Sequence, residues 1–159
     1  MTDEEHAPTQ VEGHRIVAEV GGLVDEFHAT IGVYGEELEP DEITRVLGCA
    51  PTSSHRRGDS RRPGGPGAKR GAWLLTVTAM APTEPEEVLQ QLLGRVPGDP
   101  EVWARLASMY SVQVRIGIFI GAWTRGFELS PAVVRQLAAL GVPVGFSIYA
   151  DGEEPSEDG

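Results

Sequence analysis

The strongest constraint on the fold is a strict alternation of apolar and polar side chains in four separate segments. The longest alternation runs from Val112 to Ile120, where a valine or isoleucine stands at every second position. Because successive side chains of a β-strand point to opposite faces of the sheet, this period predicts strands with one buried face and one partly hydrated face. The other three segments are Phe27–Tyr34, Trp73–Thr78 and Val142–Tyr149.

Between these strands the apolar residues have the spacing of amphipathic helices. Two such stripes follow Pro85 and Pro131, where proline suits the first turn of a helix. A third begins at Trp103, after Gly98-Asp99-Pro100 breaks the preceding helix. A shorter helix is predicted over about Pro40–Leu47, ended by Gly48. This order of elements predicts an α+β fold, in which a mostly antiparallel or mixed sheet carries helices packed on one face.

Two turns share the sequence Glu-Leu-x-Pro, at Glu37–Pro40 and Glu128–Pro131. Each turn follows a predicted strand and leads into a helix, so a repeated strand–turn–helix unit is one interpretation. The other is independent use of proline to begin a helix. In the helix that follows the second of these turns, we expect four side chains to face inward: Val133, Val134, Leu137 and Ala138.

Charge divides the chain into two acidic ends and a nearly neutral middle. Residues 1–12 and 151–159 contain no lysine or arginine and supply −9 of the formal net charge of −11. Both ends lack the apolar side chains that offset the entropy cost of folding. We therefore expect acidic disordered tails at 1–22 and 151–159, and a single domain over 23–150.

The compartment is predicted from four observations. The only cysteine, Cys49, has no partner for an internal disulfide, which fits a reducing environment. No apolar run approaches the ~18 residues of a membrane span, and the first ten residues are polar and acidic, unlike a signal peptide. Twelve arginines against one lysine are typical of a GC-rich bacterial genome. We predict a bacterial cytoplasmic protein without membrane association.

Several short motifs occur in a fixed order between Glu26 and Ala150. Together they resemble a family of bacterial domains of unknown function, the one numbered 4279. His55 departs from the pattern, because an aromatic residue, often tryptophan, is expected there. The resemblance implies a fold and a bacterial cytoplasmic location but no activity, although some members are suspected to be immunity proteins. The motifs are Glu37–Thr44, Leu47-Gly48, Pro51-Thr52, Arg57–Asp59, Gly71–Leu74, Gly117–Phe119, Phe127–Pro131, Leu140-Gly141 and Phe146–Tyr149.

The segment 55–70, HRRGDSRRPGGPGAKR, carries six basic residues and one acid in an otherwise acidic chain. Arginine forks bind phosphate or carboxylate bidentately, and glycines let a backbone approach a ligand closely. The segment lacks the G-x-x-x-x-G-K-S/T pattern of a P-loop. A mobile charged hairpin loop, a site for an anionic partner, and screening of the acidic tails remain open as interpretations. The candidate binding residues here are His55, Arg56, Arg57, Asp59, Arg61, Arg62, Lys69 and Arg70.

Three further residues are candidates for contact with a partner. Trp73 begins a strand just after the basic segment; we expect it in the core, with stacking on a partner as the alternative. Trp123 lies in a turn and is expected to be exposed. Arg115 shares the hydrated face of the sheet with four residues that could line a groove: His28, Thr30, Ser147 and Tyr149.

No catalytic or metal-binding arrangement is predicted. Ser147 lies within a strand instead of a nucleophile elbow, so a triad with His28 and Glu26 or Glu128 is not expected. The histidines lack metal-site spacing and Cys49 has no neighbouring cysteine, so we expect no metal and no cofactor.

The leading hypothesis is a non-enzymatic protein that binds a protein partner, such as an immunity-type module that masks another protein. The alternative is binding of an anionic small molecule or nucleic acid through loop 55–70. The acidity of the chain makes nucleic acid the weaker of these two ligands.

Overall fold

A computed structural model describes residues 22–121 and 125–150 of the chain. These ranges hold five strands and four helices. Except for Gly22, the predicted acidic tails lie outside the described residues, and so does Trp123. In chain order the elements are β1 (Glu26–Gly35), α1 (Pro40–Leu47), β2 (Ser53–His55), β3 (Gly71–Met80), α2 (Pro85–Leu93), α3 (Pro100–Met109), β4 (Ser111–Ile120), α4 (Pro131–Ala139) and β5 (Val144–Ala150).

The strands form one sheet in the order β2-β3-β1-β4-β5. Strand β1 is central and pairs antiparallel with β3 on one side and β4 on the other. Strand β5 runs parallel to β4, because the connection through α4 returns the chain to the same end of the sheet. The predicted α+β class is confirmed, and the sheet is mixed.

The core lies between one face of this sheet and the helices. Every second residue of β1 is at most 1% exposed, as the alternation predicts. Helix α2 packs against β1 and β3, α1 against β3, and α3 against β4. The largest fully buried side chains include Phe27 and Ile31 of β1, Leu89 and Leu92 of α2, and Trp103 of α3. Within the described ranges, no helix is long and apolar enough to cross a membrane.

Helix boundaries follow the local sequence closely. Each of the four helices begins with a proline, whose missing N–H costs nothing in the first turn. The Ser130 hydroxyl accepts the N–H of Val133 at 3.4 Å, which caps α4. Gly48 ends α1 in the left-handed conformation, with φ of 72°. The predicted end of α1 at Gly48 and the predicted beginning of α4 near Pro131 are confirmed.

Two expectations about burial are wrong. On α4, Val133 and Leu137 are buried, but Val134 is 50% exposed and Ala138 is also exposed, because α4 packs through a narrower stripe against α2.

The two Glu-Leu-x-Pro turns lead to different topologies. The chain after α1 enters β2, which β3 separates from β1, whereas the chain after α4 enters β5 directly beside β4.

The turn after β1 packs tightly on the beginning of β3. A Cβ atom at Gly71 would lie 2.8 Å from the backbone oxygen of Leu38, a residue that is itself buried. At Gly117, in β4, the nearest atom to an added Cβ would be 3.6 Å away, which is an ordinary contact. Of these two glycines, only Gly71 is therefore required by the close approach of two backbone segments.

We therefore predict that Gly71→Ala lowers the free energy of unfolding by about 1–3 kcal/mol, the usual cost of forcing extra atoms into a packed site. Gly117→Ala is the matched control, because it also adds one methyl group to a strand glycine, and it should change stability by less than about 0.5 kcal/mol. Urea unfolding followed by circular dichroism measures both values. Equal stability of the two variants would contradict the close approach at Gly71.

Candidate functional site

Segment 55–70 extends the β2–β3 hairpin as a hydrogen-bonded tip. The N–H of Gly58 donates to the oxygen of Ala68, and the N–H of Ala68 donates to the oxygen of Asp59, both at 2.8 Å. A Cβ at Gly67 would lie 2.8 Å from the oxygen of Gly58, so the two arms of the tip touch. Hydrogen bonds and close contact between the two arms thus define the shape of the tip.

Two arginines at the base of this tip form ion pairs with the turn after β1. Arg56 Nε lies 2.6 Å from Glu39 Oε2, and this hydrogen bond raises the pKa of the Arg56 guanidinium above its ordinary value. Arg57 Nη1 lies 3.4 Å from Glu37 Oε1 and 3.7 Å from Glu36 Oε2. Since these pairs are exposed to solvent, they orient the tip more than they stabilise the fold.

Asp59 also has a structural role. Its Oδ2 accepts the backbone N–H of Arg56 at 2.8 Å and so closes the turn at the base of the tip. Three of the predicted binding residues, Arg56, Arg57 and Asp59, therefore have partners within the domain. Two of them belong to the family-like motif Arg57–Asp59, so this motif builds the tip.

The remaining cations of the tip surround a groove, hereafter the basic groove, with a volume of about 490 Å³. Its basic lining residues are Arg61, Arg62, Lys69 and Arg70, with Asp59 as the acidic one. The guanidinium of Arg70 lies 4.7 Å from the centre of the Tyr34 ring, a cation–π contact that holds it at the wall. Within residues 22–121 and 125–150, no carboxylate forms an ion pair with Arg61, Arg62 or Lys69.

His55 lies where the basic groove meets a second, more polar hollow of about 700 Å³. This hollow is lined by Ser53, Ser54, His55, Asp59, Ser60, Arg61 and Leu74. His55, Asp59 and Arg61 border both spaces, so the polar hollow adjoins the basic groove through one acidic and two nitrogen-bearing side chains. His55, at the position where an aromatic residue was expected, is partly buried between the two spaces.

Arg115 is not part of the basic groove. It lies on β4 opposite Thr30, on the sheet face that carries no described helix. Three strand spacings separate β4 from β2, which places the two backbones about 14 Å apart. The structure therefore does not bring Arg115 to the cations of the tip.

The same open face carries a row of aromatic side chains that the sequence analysis did not recognise as a unit. Phe119 and Tyr149 stack with ring centres 4.6 Å apart, and the His28 ring lies 5.0 Å from Phe119. His28 Nε2 donates to Glu26 Oε1 at 2.6 Å. The cross-strand register of β1, β4 and β5 is the signal that would have revealed this row.

A serine nucleophile is not assembled on this face. Ser147 is separated from His28 by Gly117 of the intervening strand, so their backbones are about 10 Å apart. A nucleophile and its base need hydrogen-bond distance, about 2.6–3.2 Å. Among the described residues, no group of three metal-ligating side chains lies close enough together to hold an ion.

Trp73 does not contribute to the binding surface. The ring is fully buried, and its Nε1–H donates to Thr44 Oγ1 at 3.0 Å, which joins β3 to α1. The core expectation is confirmed, and the stacking alternative is wrong because the turn at Leu38 and helix α1 cover the beginning of β3. Trp123 lies outside the described residues, so its expected exposure remains a prediction.

Cys49 follows the end of α1 and is partly buried. Burial raises the pKa of its thiol above the ordinary value, and the positive charge of Arg95 offsets this only in part. Fewer thiolate anions at neutral pH mean a slower nucleophile. The Cys49 thiol is therefore a weaker nucleophile than an ordinary exposed cysteine.

We predict that Cys49 reacts with iodoacetamide more slowly than an exposed cysteine between pH 7 and 9, because less of it is ionised and less is accessible. The matched control is Ala104→Cys in a Cys49→Ser background, since position 104 is exposed on α3. Mass spectrometry over time measures both rates. Equal rates in the folded proteins would contradict the raised pKa, and unfolding in urea should abolish the difference.

Comparison with known proteins adds one finding. The pattern of the family described as Domain of unknown function (DUF4279) matches residues 25–151. The matched stretch contains every described element and the whole basic groove. No curated protein and no solved structure matches the chain.

Proposed function

The chain belongs to the DUF4279 family, and from that premise we propose that it is a non-enzymatic binding protein whose basic groove takes a multiply charged anion. The ligand class is a small molecule that carries phosphate or carboxylate groups. We place this activity in the bacterial cytoplasm, in agreement with the composition of the chain.

The observation that carries the proposal is the uncompensated positive charge of the groove. Arg56 and Arg57 have acidic partners, whereas Arg61, Arg62 and Lys69 have no such partner among the described residues. Like charges held close together repel one another, and an anion between them relieves that repulsion. The protein thus has a local site for anions within a chain of net charge −11.

The shape of the groove supports a small ligand. A volume of about 490 Å³ falls in the range of roughly 300–1,000 Å³ that is usual for ligand pockets. The hydrogen bonds within the tip and the ion pairs at its base hold the walls before a ligand arrives. Such preorganisation lowers the entropy cost of binding.

The arrangement also favours a ligand with more than one charge. Arginines 61 and 62 lie on one arm of the tip, and residues 69 and 70 lie on the other, with the groove between the arms. A single carboxylate can satisfy one guanidinium fork, whereas pyrophosphate or a tricarboxylate can bridge both arms. A ligand of that kind would tie the two arms together.

We predict that pyrophosphate and citrate, used as phosphate and carboxylate probes, bind the protein and that the affinity falls as salt is raised. The triple variant Arg61→Gln, Arg62→Gln, Lys69→Gln should weaken binding by at least about tenfold, since each lost charge-assisted contact has a substantial energy. Isothermal titration calorimetry at two salt concentrations measures this.

The matched control is Arg45→Gln, Arg105→Gln, Arg135→Gln, which removes the same charge from exposed positions on three helices. It should leave the affinity within about twofold, because screening weakens distant charges. Equal losses in the two triple variants, or no binding of either probe, would contradict the small-anion proposal. Retention of an acidic protein by the native chain but not by the groove variant would instead favour the immunity-type role.

A further inference from the structure

The two edges of the sheet differ in how they are protected. Strand β2, at one edge, has only three residues and leads into the charged tip. Strand β5, at the other edge, has seven residues, VGFSIYA, with no charge and no proline. Natural sheets usually blunt an exposed edge with shortness, charge or proline. Within the described chain, nothing pairs with the outer edge of β5.

Apolar side chains accompany this unpaired edge. Phe146 and Ile148 are 57% and 65% exposed although they lie on the helix side of the sheet, because no described helix covers the edge strand. The strand pattern of β5 is therefore confirmed, whereas the burial expected for its apolar face is wrong. Tyr149, on the open face, is 53% exposed.

We propose that β5 pairs antiparallel with β5 of a second copy of this chain, about a twofold axis at Ser147, so that two sheets join edge to edge. The basic groove lies at the opposite edge of each sheet, so this pairing leaves both grooves open. The inference is independent of the ligand of that groove.

The backbone of β5 has the correct phase for this pairing. The N–H of Val114 donates to the oxygen of Pro143 at 2.9 Å, so odd-numbered residues of β5 direct their main-chain groups towards β4. Even-numbered residues direct theirs outward. Pairing about Ser147 sets even residues opposite even residues, which allows about eight main-chain hydrogen bonds between the two strands.

The side chains are complementary in the same register. Phe146 lies opposite the partner's Ile148 on the helix side, and aromatic pairs with β-branched residues are favourable across strands. Gly145 lies opposite the partner's Tyr149 on the open face, where a glycine leaves room for an aromatic ring. The sequence of β5 is therefore self-complementary when it is reversed about Ser147.

Charge selects the antiparallel arrangement over the parallel one. The segment that follows β5 carries five acids between residues 151 and 158. In a parallel pair these acids would begin side by side. In the antiparallel pair the two Ala150 residues are about 20 Å apart, well beyond the screening length of about 8 Å.

A cross-linking experiment tests the register. In a Cys49→Ser background, Ser147→Cys should form an intermolecular disulfide on mild oxidation, because residue 147 faces its own copy across a non-hydrogen-bonded pair about 4.5 Å apart. Gly145→Cys is the matched control on the same face, and it faces position 149 instead. Selective cross-linking of the first variant supports the pairing, whereas equal cross-linking or none overturns it.

Sedimentation velocity over a range of concentrations tests association without oxidation. The native chain should be a dimer, and Phe146→Lys should raise the dimer dissociation constant by at least about tenfold, because it places a charge in a desolvated edge pairing. Met109→Lys is the control, since Met109 is 59% exposed on α3. A native chain that stays monomeric at all concentrations, or equal effects of both lysines, would overturn the proposal.

Discussion

The arrangement of this protein depends on the one-sided burial of β1. The strand contributes every second side chain to the core and is paired along both edges, so it fixes the plane of the sheet and the side on which the helices pack. The described helices all use that side. The open face, the outer edge of β5 and the tip beyond β2 take no part in this packing.

The family-like motifs are best understood as architecture. The Glu-Leu-x-Pro turn, the Arg57–Asp59 motif and the Gly71–Leu74 motif meet at one corner, where Leu38 packs on Gly71 and Trp73 bonds to Thr44. Ion pairs between the tip and the turn complete this corner. Three cations that line the basic groove outside these motifs, Arg61, Arg62 and Lys69, form no ion pair with a described residue.

Much of the fold could be predicted from the sequence because its signals are local. The period of two identified β1, β3, β4 and β5, and prolines marked the beginnings of α1, α2 and α4. Sheet order could not be predicted, since register between distant strands has no local signal. The same reason explains Phe146: its alternation predicted a strand, but only the order of strands shows that it lies at an uncovered edge.

The candidate site was predicted less completely. The charge of segment 55–70 identified it, but separating Arg56 and Arg57 from Arg61 and Arg62 required their partners at Glu36–Asp41, some twenty residues earlier. Tyr34, which stacks on Arg70, was seen only as a strand residue. Long-range pairing of charges and rings depends on the assembled sheet, so composition alone does not reveal it.

The central position of β1 has a consequence for synthesis of the chain. This strand leaves the ribosome first among the described elements, yet its neighbours follow far later; Thr30 bonds to Thr76, 46 residues onward, and β4 ends only at Ile120. The edge of β1 that pairs with β3 therefore stays open until Met80 has emerged, and the edge that pairs with β4 stays open until Ile120 has emerged. Such non-local pairing slows folding and exposes the nascent chain to association. The nascent chain thus has its greatest need for a chaperone before β4 is complete.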